Sequence, residues 1–190
     1  MEPPDKSNGV LEGREILLCL TGGIACYKSA DLASTLVQKG AGLTVAMTEA
    51  ATKFIAPLTF RALTGRRVYR DLWNESSDFS IQHVSLTEKA DLMIIAPATA
   101  DILAKMACGI ADDLVSTMAL SAHGSCPVLV APAMNSRMWN APATMENCET
   151  LKKRGVMFTG PSEGKLACGE SGEGRMVEVA EIVEAVCDLV

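Results

Sequence analysis

The stretch PVLVAPAMNSRMW, residues 127–139, contains the pattern from which the fold is predicted. Residues 127–131 form a short apolar run, which is typical of a strand buried on both faces of a parallel sheet. Asn135 follows just past the carboxyl end of that strand, where ligands bind in open α/β sheets. Alternatively, Asn135 only caps the next helix, and Met138 and Trp139 fill the core. The local pattern leaves both interpretations open.

Strand, turn and helix patterns recur along the rest of the chain. Residues 16–20, 43–47 and 92–96 are further apolar runs, each followed by turn residues and a helical pattern, and residues 156–158 add a last short strand. This alternation predicts an α/β fold. We expect a single Rossmann-like (flavodoxin-like) domain, with a mostly parallel sheet and helices on both faces.

The turns after these strands carry small and hydroxyl residues. Gly22 and Gly23 separate the first strand from a helix, so backbone N–H groups there can approach a phosphate at the helix N-terminus. Gly-Gly turns are common in α/β proteins, and this one alone is a weak signal. Thr48 stands where a helix N-cap is expected, and Thr99 offers a hydroxyl beside small residues that leave space for a flat ligand.

The domain limits follow from composition. Residues 1–13 are polar with two prolines and are predicted to be a disordered lead-in, and residues 14–190 to be the folded domain. Residues 66–80 are polar and predicted to be irregular. Residues 160–175 are rich in glycine and are interpreted as a mobile loop that acts as a lid. An acidic amphipathic helix over residues 179–190 closes the chain.

Charge and composition exclude several classes of protein. The net charge of −6 argues against a nucleic-acid-binding surface, which needs clustered Lys and Arg. No apolar run approaches the length of a membrane span, and residues 1–13 do not form a signal peptide. The seven cysteines include no C-x-x-C pair and there are only two histidines, so we expect no metal site and a reducing, cytoplasmic location.

A few polar residues are candidates for chemistry. His83 is either a proton carrier or a residue at the surface or edge, and the second is favoured without further context. Cys168 lies in the polar, glycine-rich segment and not in an apolar run. A reactive thiol, as opposed to a packed one, is expected in such a segment. Asp112 and Asp113 are adjacent at a helix start and are predicted to cap it, and His123 is predicted to be a surface residue.

Taken together, these segments resemble the flavin-dependent cysteine decarboxylases, and most closely the phosphopantothenoylcysteine decarboxylases of coenzyme A biosynthesis. The resemblance covers the chain from about residue 16 to residue 190. It is carried by these motifs: TGGIA at 21–25, the segment around His83, APATAD at 96–101, ADDLVST at 111–117, PAMNSRMW at 132–139, ACGE at 167–170 and GRM at 174–176.

The resemblance implies FMN as cofactor and 4'-phosphopantothenoylcysteine as substrate, with 4'-phosphopantetheine as product. The flavin would oxidise the cysteine thiol to a thioaldehyde, CO2 would leave, and the resulting enethiol would be reduced, so that there is no net redox change. It also implies a homotrimer or a dodecamer of trimers, with the flavin at a subunit interface and His83 serving a neighbouring subunit's flavin.

The same resemblance implies roles for single residues. Asn135 would hold the substrate carboxylate, His83 would be the acid or base, and Cys168 would donate the proton of the final reduction. The residues implied in FMN binding are Gly22, Gly23, Thr48, Phe54, Pro97, Ala98, Thr99 and Ser116. Those implied in substrate binding are Ala133, Met134, Asn135 and Met138.

The chain departs from the family pattern in two ways, and each departure leaves a question open. Some members carry Arg or Lys five residues after the histidine, where this chain has Glu88, so the group that meets the substrate phosphate is open. Many bacterial relatives continue into a ligase domain, so this chain is either a stand-alone decarboxylase or one half of a split or truncated pair, and the sequence leaves this open. The competing functions are a peptidyl-cysteine decarboxylase of a peptide antibiotic pathway and a non-catalytic flavin-binding regulatory protein. A flavin prenyltransferase shares the architecture but should lack the motif at 132–139.

Overall fold

The structure is a computed structural model that describes residues 9–73, 82–165 and 171–190. Its strands are β1 (Glu15–Leu20), β2 (Gly42–Met47), β3 (Val68–Tyr69), β4 (Leu92–Ala98), β5 (Val128–Pro132), β6 (Met157–Phe158), β7 (Ser162–Lys165) and β8 (Ser171–Arg175). Its helices are α1 (Cys26–Gln38), α2 (Glu49–Thr52), α3 (Pro57–Thr64), α4 (Gln82–Lys89), α5 (Ala100–Cys108), α6 (Leu114–Ser121), α7 (Ser136–Trp139), α8 (Pro142–Lys153) and α9 (Val179–Leu189).

Strands β1 to β6 form one sheet in the order β3-β2-β1-β4-β5-β6, and every pair in it is parallel. This is the strand order of a doubly wound Rossmann-like sheet, in which the order reverses between β1 and β4. The predicted α/β fold with a mostly parallel sheet is therefore confirmed. The predicted strands at 16–20, 43–47, 92–96, 127–131 and 156–158 all lie in this sheet.

Alternate residues of the central strands pack into two separate hydrophobic cores, one on each face of the sheet. In β1, Ile16, Leu18 and Leu20 pack on the face covered by α1, α3 and α9. Leu17 and Cys19 point to the other face, which α5, α6 and α8 cover. Because successive side chains of a strand point to opposite faces, a strand buried on both sides must be apolar throughout. The predicted covering of both faces by helices is confirmed.

Side-chain caps start several of the helices. Thr48, Thr99 and Asp113 accept hydrogen bonds from the first turns of α2, α5 and α6, and Asp113 forms a reciprocal capping box with Ser116. The prediction that the acidic pair caps its helix is confirmed for Asp113, whereas Asp112 forms an ion pair with Lys105 at 2.9 Å.

The predicted disordered lead-in is wrong for residues 9–13. Residues 10–13 form a turn, Leu11 is buried against the first core, and its amide donates to the carbonyl of Lys39 at 3.0 Å. One apolar side chain within a polar stretch was enough to anchor the chain to the end of α1. Residues 1–8 lie outside the described residues.

Two segments predicted to be irregular contain strands. Within residues 66–80, Val68 and Tyr69 pair with β2 as the edge strand β3, and residues 74–81 lie outside the described residues. Within residues 160–175, β7 and β8 form an antiparallel two-stranded ribbon. The glycine content suggested a loop, but it also permits the close pairing of two short strands. Residues 166–170 lie outside the described residues.

The ribbon is joined to the body of the domain at its base. The amide of Met134 donates to the carbonyl of Gly174 at 2.8 Å, and Lys28 Nζ donates to the carbonyl of Met176 at 3.2 Å. Gly174 has φ of +125°, and a Cβ there would overlap the carbonyl oxygen of Met134. Glycine is therefore required where β8 crosses the segment that follows β5.

Replacing Leu11 by Ala should lower the free energy of unfolding by about 2–3 kcal/mol, because a buried leucine leaves a cavity when truncated. Val10→Ala is the matched control, since Val10 is 74% exposed and its truncation should cost less than ~0.5 kcal/mol. Urea unfolding of both variants measures the difference. Equal effects would show that residues 9–13 are not anchored.

Gly174→Ala should destabilise the protein by about 2 kcal/mol or more, because backbone strain adds to the loss of the Met134 hydrogen bond. Gly124→Ala is the control: Gly124 also has positive φ, +77°, but a Cβ there meets nothing within 4 Å, so only strain of ~1 kcal/mol is expected. Thermal unfolding compares the two variants. A smaller loss for Gly174→Ala than for Gly124→Ala would contradict the close crossing.

Candidate functional site

A cavity of about 710 Å³ opens at the carboxyl ends of β1, β4 and β5, beside the point where the strand order reverses. Parallel sheets bind ligands at this place because the loops on either side diverge and leave a crevice. The volume lies within the range of small-molecule sites. The residues that line it are Gly22, Gly23, Ile24, Ala25, Tyr27, Lys28, Thr99, Ala100, Ala133, Met134, Asn135, Met138, Gly174, Arg175 and Met176.

The turn between β1 and α1 offers backbone donors to this cavity. Within the described part of the chain, no side chain caps α1, and the amides of Gly22, Gly23 and Ile24 donate to no acceptor. A Cβ on Gly22 would lie 2.5 Å from the Cβ of Ala50, so glycine lets this turn pack closely on α2. Consecutive N–H groups at a helix N-terminus attract an anion such as a phosphate.

Hydrogen bonds from a buried threonine fix the floor of the cavity. Thr21 Oγ1 donates to the carbonyl of Pro97 at 2.6 Å and accepts from the amide of Thr99 at 3.1 Å. Ser29 Oγ, one turn into α1, donates to the carbonyl of Ala96 at 2.8 Å. The turns that follow β1 and β4 are therefore held together, and Thr99 reaches the cavity while it caps α5.

Asn135 combines the two interpretations of its motif. It is the N-cap of α7, and its Oδ1 accepts from the amide of Arg137 at 2.8 Å. It also lines the cavity, between Met134 and Met138. The cap fixes the orientation of the side-chain amide, and that amide is neutral. A residue of this kind can bind a carboxylate through its N–H without adding charge.

The mouth of the cavity is apolar and exposed. Ile24 and Tyr27 on one side and Met138 on the other are 60%, 64% and 50% exposed. Large apolar side chains at a cavity mouth are typical of a site that receives a flat aromatic ligand or a second protein surface. The cavity thus joins an anion-binding turn, an apolar wall and an oriented amide.

The structure brings about half of the predicted site residues to this cavity: Gly22, Gly23, Thr99, Ala133, Met134, Asn135 and Met138. Four others are placed elsewhere in the structure. Pro97 and Ala98 are buried in β4 under the floor, Phe54 is exposed after α2, and Thr48 is bonded through Oγ1 to the amide of Ala51.

Ser116 does not line this cavity. It lies in α6, is bonded within the capping box of Asp113, and borders a second cavity of about 570 Å³ that also includes His123. Nothing in the sequence around Ser116 indicates that its side chain borders this second cavity. The predicted surface position of His123 is confirmed.

Two of the three predicted catalytic residues have side chains outside the described residues. His83 lies in the first turn of α4, a helix that packs against α6 and β1, but its side chain is not described. Cys168 lies in the segment 166–170. Their predicted roles stay predictions.

Sequence reasoning missed two charged residues at the cavity, Lys28 and Arg175, together with their shared partner Glu178. Lys28 Nζ is 3.1 Å from Glu178 Oε2, and Arg175 Nη2 pairs with Glu178 Oε1. The sequence does contain a sign that Lys28 is buried. This lysine falls on the apolar stripe of α1, three residues after Ala25 and four before Leu32. A buried charged residue at such a position needs polar or charged partners.

No helix of the described residues is long and apolar enough to cross a membrane. In the same residues, no three His, Cys, Asp or Glu side chains are grouped as ligands of a metal ion would be.

Comparison with known sequences places the chain in a family. Residues 5–190 match the family described as Flavoprotein. The coenzyme A biosynthesis bifunctional protein CoaBC of Vibrio cholerae is 47% identical over 173 residues, which are 91% of this chain and 43% of that protein. The chain thus spans less than half the length of this relative.

Solved structures agree with the sequence comparison. A PPC decarboxylase mutant complexed with pantothenoylaminoethenethiol has a TM-score of 0.80 and 29% identity, over 91% of this chain and 96% of that one. The FMN-dependent cysteine decarboxylase SpaF has a TM-score of 0.79 and 27% identity, over 94% and 96% of the two chains. The chain belongs to the Flavoprotein family.

Proposed function

We propose that this protein catalyses the FMN-dependent decarboxylation of 4'-phosphopantothenoylcysteine to 4'-phosphopantetheine in the cytoplasm, as a step of coenzyme A biosynthesis. The observation that carries the proposal is the convergence of the anion-binding turn, the apolar wall and Asn135 on one cavity. The relatives support the same reaction, since one is a coenzyme A biosynthesis protein and another a PPC decarboxylase.

The cavity fits an FMN molecule. The amides of Gly22, Gly23 and Ile24 would hold the phosphate, and Ile24, Tyr27 and Met138 would contact the flavin ring. The nearest atom to a Cβ on Gly23 is Thr99 Cγ2 at 3.7 Å, so the turn leaves room on its cavity side. When bound, FMN would accept the electron pair of the substrate thiol and later return it.

Asn135 is proposed to hold the carboxylate that leaves as CO2. A neutral amide orients this group, but it stabilises the negative charge less than a cationic side chain would. That choice favours the reaction, because a strong bond to the carboxylate in the ground state would raise the barrier to its loss. Ala133, Met134 and Met138 would shape the site around the cysteine end of the substrate.

His83 is proposed as the acid or base beside the reacting cysteine, and Cys168 as the proton donor of the final reduction. The protein is proposed to be a homotrimer or a dodecamer of trimers, in which His83 serves the flavin of a neighbouring subunit. Two observations support an interface at this cavity. Ile24 and Tyr27 are exposed at its mouth, and the described part of α4 packs against α6 and β1.

Flavin-loaded protein mixed with 4'-phosphopantothenoylcysteine should yield a product lighter by one CO2, measured by mass spectrometry. Asn135→Asp should keep the flavin but lose turnover at least ~100-fold, because two carboxylates would repel each other. The control is Asn140→Asp, the same change at an exposed residue outside the cavity lining, which should stay active.

Full turnover in Asn135→Asp would remove this residue from the mechanism. A yellow wild-type protein that leaves the substrate unchanged would overturn the proposed reaction, and turnover of a peptide ending in cysteine would then assign the protein to the peptidyl-cysteine decarboxylases.

Cys168→Ser should accumulate a decarboxylated product that is two hydrogens short of 4'-phosphopantetheine, with the flavin left reduced, because a hydroxyl is a much weaker acid than a thiol. Mass spectrometry and the flavin absorbance measure the two effects. Cys108→Ser, at an exposed cysteine, is the control and should form normal product. Normal product from Cys168→Ser would exclude the thiol as proton donor.

A further inference from the structure

We propose that Arg175 makes the enzyme selective for a substrate that carries a phosphate monoester at the end remote from its cysteine, and that Glu178 positions the Arg175 guanidinium for this task. The inference rests on the proposed function. It assigns a specificity-determining residue, Arg175, and a positioning residue, Glu178, on the ribbon side of the cavity.

The charges of the cavity lining have one sign. Of the residues that line it, Lys28 and Arg175 carry positive charge, and none is Asp or Glu. This is unusual in a chain whose net charge is −6. A cavity lined by charges of one sign with apolar walls attracts ligands of the opposite sign, because the walls weaken screening by water.

Lys28 is committed to the protein itself. Its ammonium donates to the carbonyls of Met176 and Val177, at 3.2 and 3.5 Å, and lies 3.1 Å from Glu178 Oε2. An ammonium has three N–H donors, so these three acceptors use them all. The residue is 8% exposed, and moving it would break the contact between α1 and the base of the ribbon. Lys28 is therefore a structural tie, and Arg175 is the cation available to a ligand.

Glu178 is held in place on both sides. Its Oε2 meets Lys28, its Oε1 accepts from Arg175, and its backbone amide donates to Glu181 Oε1 at 3.1 Å in the capping box of α9. The neighbouring Lys28 and then Arg175 hold the pKa of the Glu178 carboxyl below its usual range, so it is ionised at neutral pH. A fixed anion thus anchors one side of the guanidinium.

The rest of the guanidinium has room and donors for an anion. Glu178 is the one acceptor that the described residues offer it, and a guanidinium carries five N–H groups in a planar fork. A Cβ on Gly164 of β7 would lie 3.2 Å from both Cδ and Nη1 of Arg175, so the glycine lets the side chain cross the ribbon. The fork geometry matches two oxygens of a phosphate, which a lysine cannot do.

The position of Arg175 favours the phosphate of the substrate over that of FMN. The turn at Gly22 and Gly23 already supplies backbone donors for the cofactor. Arg175 directly follows Gly174, whose carbonyl is bonded to the amide of Met134, the neighbour of Asn135. The backbone of Arg175 therefore lies on the side of the cavity where the substrate is proposed to bind, and its guanidinium extends from there to Gly164 of β7 and to Glu178.

The test compares 4'-phosphopantothenoylcysteine with pantothenoylcysteine, which lacks the phosphate. The ratio of the two kcat/KM values is measured for the wild type, Arg175→Ala, Arg175→Lys and Glu178→Gln. The wild type should prefer the phosphorylated substrate, and Arg175→Ala should lower that preference roughly 10–100-fold, as expected for a charge-assisted hydrogen bond. Arg175→Lys should restore part of it, and Glu178→Gln should raise KM for the phosphorylated substrate more than it lowers kcat.

Two further measurements separate this role from others. Lys153→Ala removes one positive charge from the exposed end of α8 and should leave the preference unchanged. Calorimetric titration with 4'-phosphopantetheine and pantetheine should show the same loss of preference in Arg175→Ala as a difference in Kd. Flavin content, measured by absorbance, should stay at the wild-type level.

Several results would overturn the proposal. An unchanged preference in Arg175→Ala, or equal losses with both substrates, would leave Arg175 with a structural role alone. Loss of flavin from Arg175→Ala would assign the guanidinium to the FMN phosphate instead. A wild type that converts both substrates equally well would refute phosphate selection but keep the decarboxylase, whereas a wild type that converts neither would refute the proposed function and, with it, this inference.

Discussion

The hydroxyl of Thr21 is the contact on which the site depends. Thr21 is 2% exposed, and its hydroxyl bridges the carbonyl of Pro97 and the amide of Thr99, so it joins the turns after β1 and β4 where the order of the sheet reverses. A buried hydroxyl without partners would cost about 1–3 kcal/mol, and these two bonds satisfy it. With the two turns fixed, Gly22 and Gly23 line the crevice, and α1 starts just after them with the N-terminal amides that favour an anion.

The remaining wall is built by long-range contacts between short segments. The ribbon of β7 and β8 has few apolar side chains of its own, and its base is attached by the Met134–Gly174 hydrogen bond and by Lys28. The two attachments lie on opposite sides of the crevice, one after β5 and one on α1. The ribbon therefore completes the cavity because it ties together two elements that the parallel sheet alone leaves apart.

The sheet and both cores could be predicted from the sequence because their signal is local. A buried parallel strand requires a continuous apolar run, and residues 16–20 and 92–96 have one. The glycine turn and Asn135 could be predicted for the same reason, since the carboxyl ends of such strands mark the crevice. Leu11, the β7–β8 ribbon and the partners of Lys28 could not, because each depends on a contact with a segment far along the chain. Ser116 was assigned by resemblance to the family; its hydroxyl accepts a hydrogen bond from the amide of Asp113 in the capping box, and the residue does not line the crevice.

The cavity meets the two ends of the proposed substrate with different chemistry. At the reacting end, Asn135 is neutral, and any additional stabilisation of the carboxylate would have to be overcome when CO2 leaves. At the remote end the phosphate keeps its charge throughout the reaction, so a cation there lowers the energy of the bound substrate and of the transition state alike. Such uniform binding improves capture without slowing the chemical step. A charged Arg175 for the phosphate and a neutral Asn135 for the carboxylate is the division that the reaction favours, and Glu178 holds the Arg175 guanidinium at the ribbon.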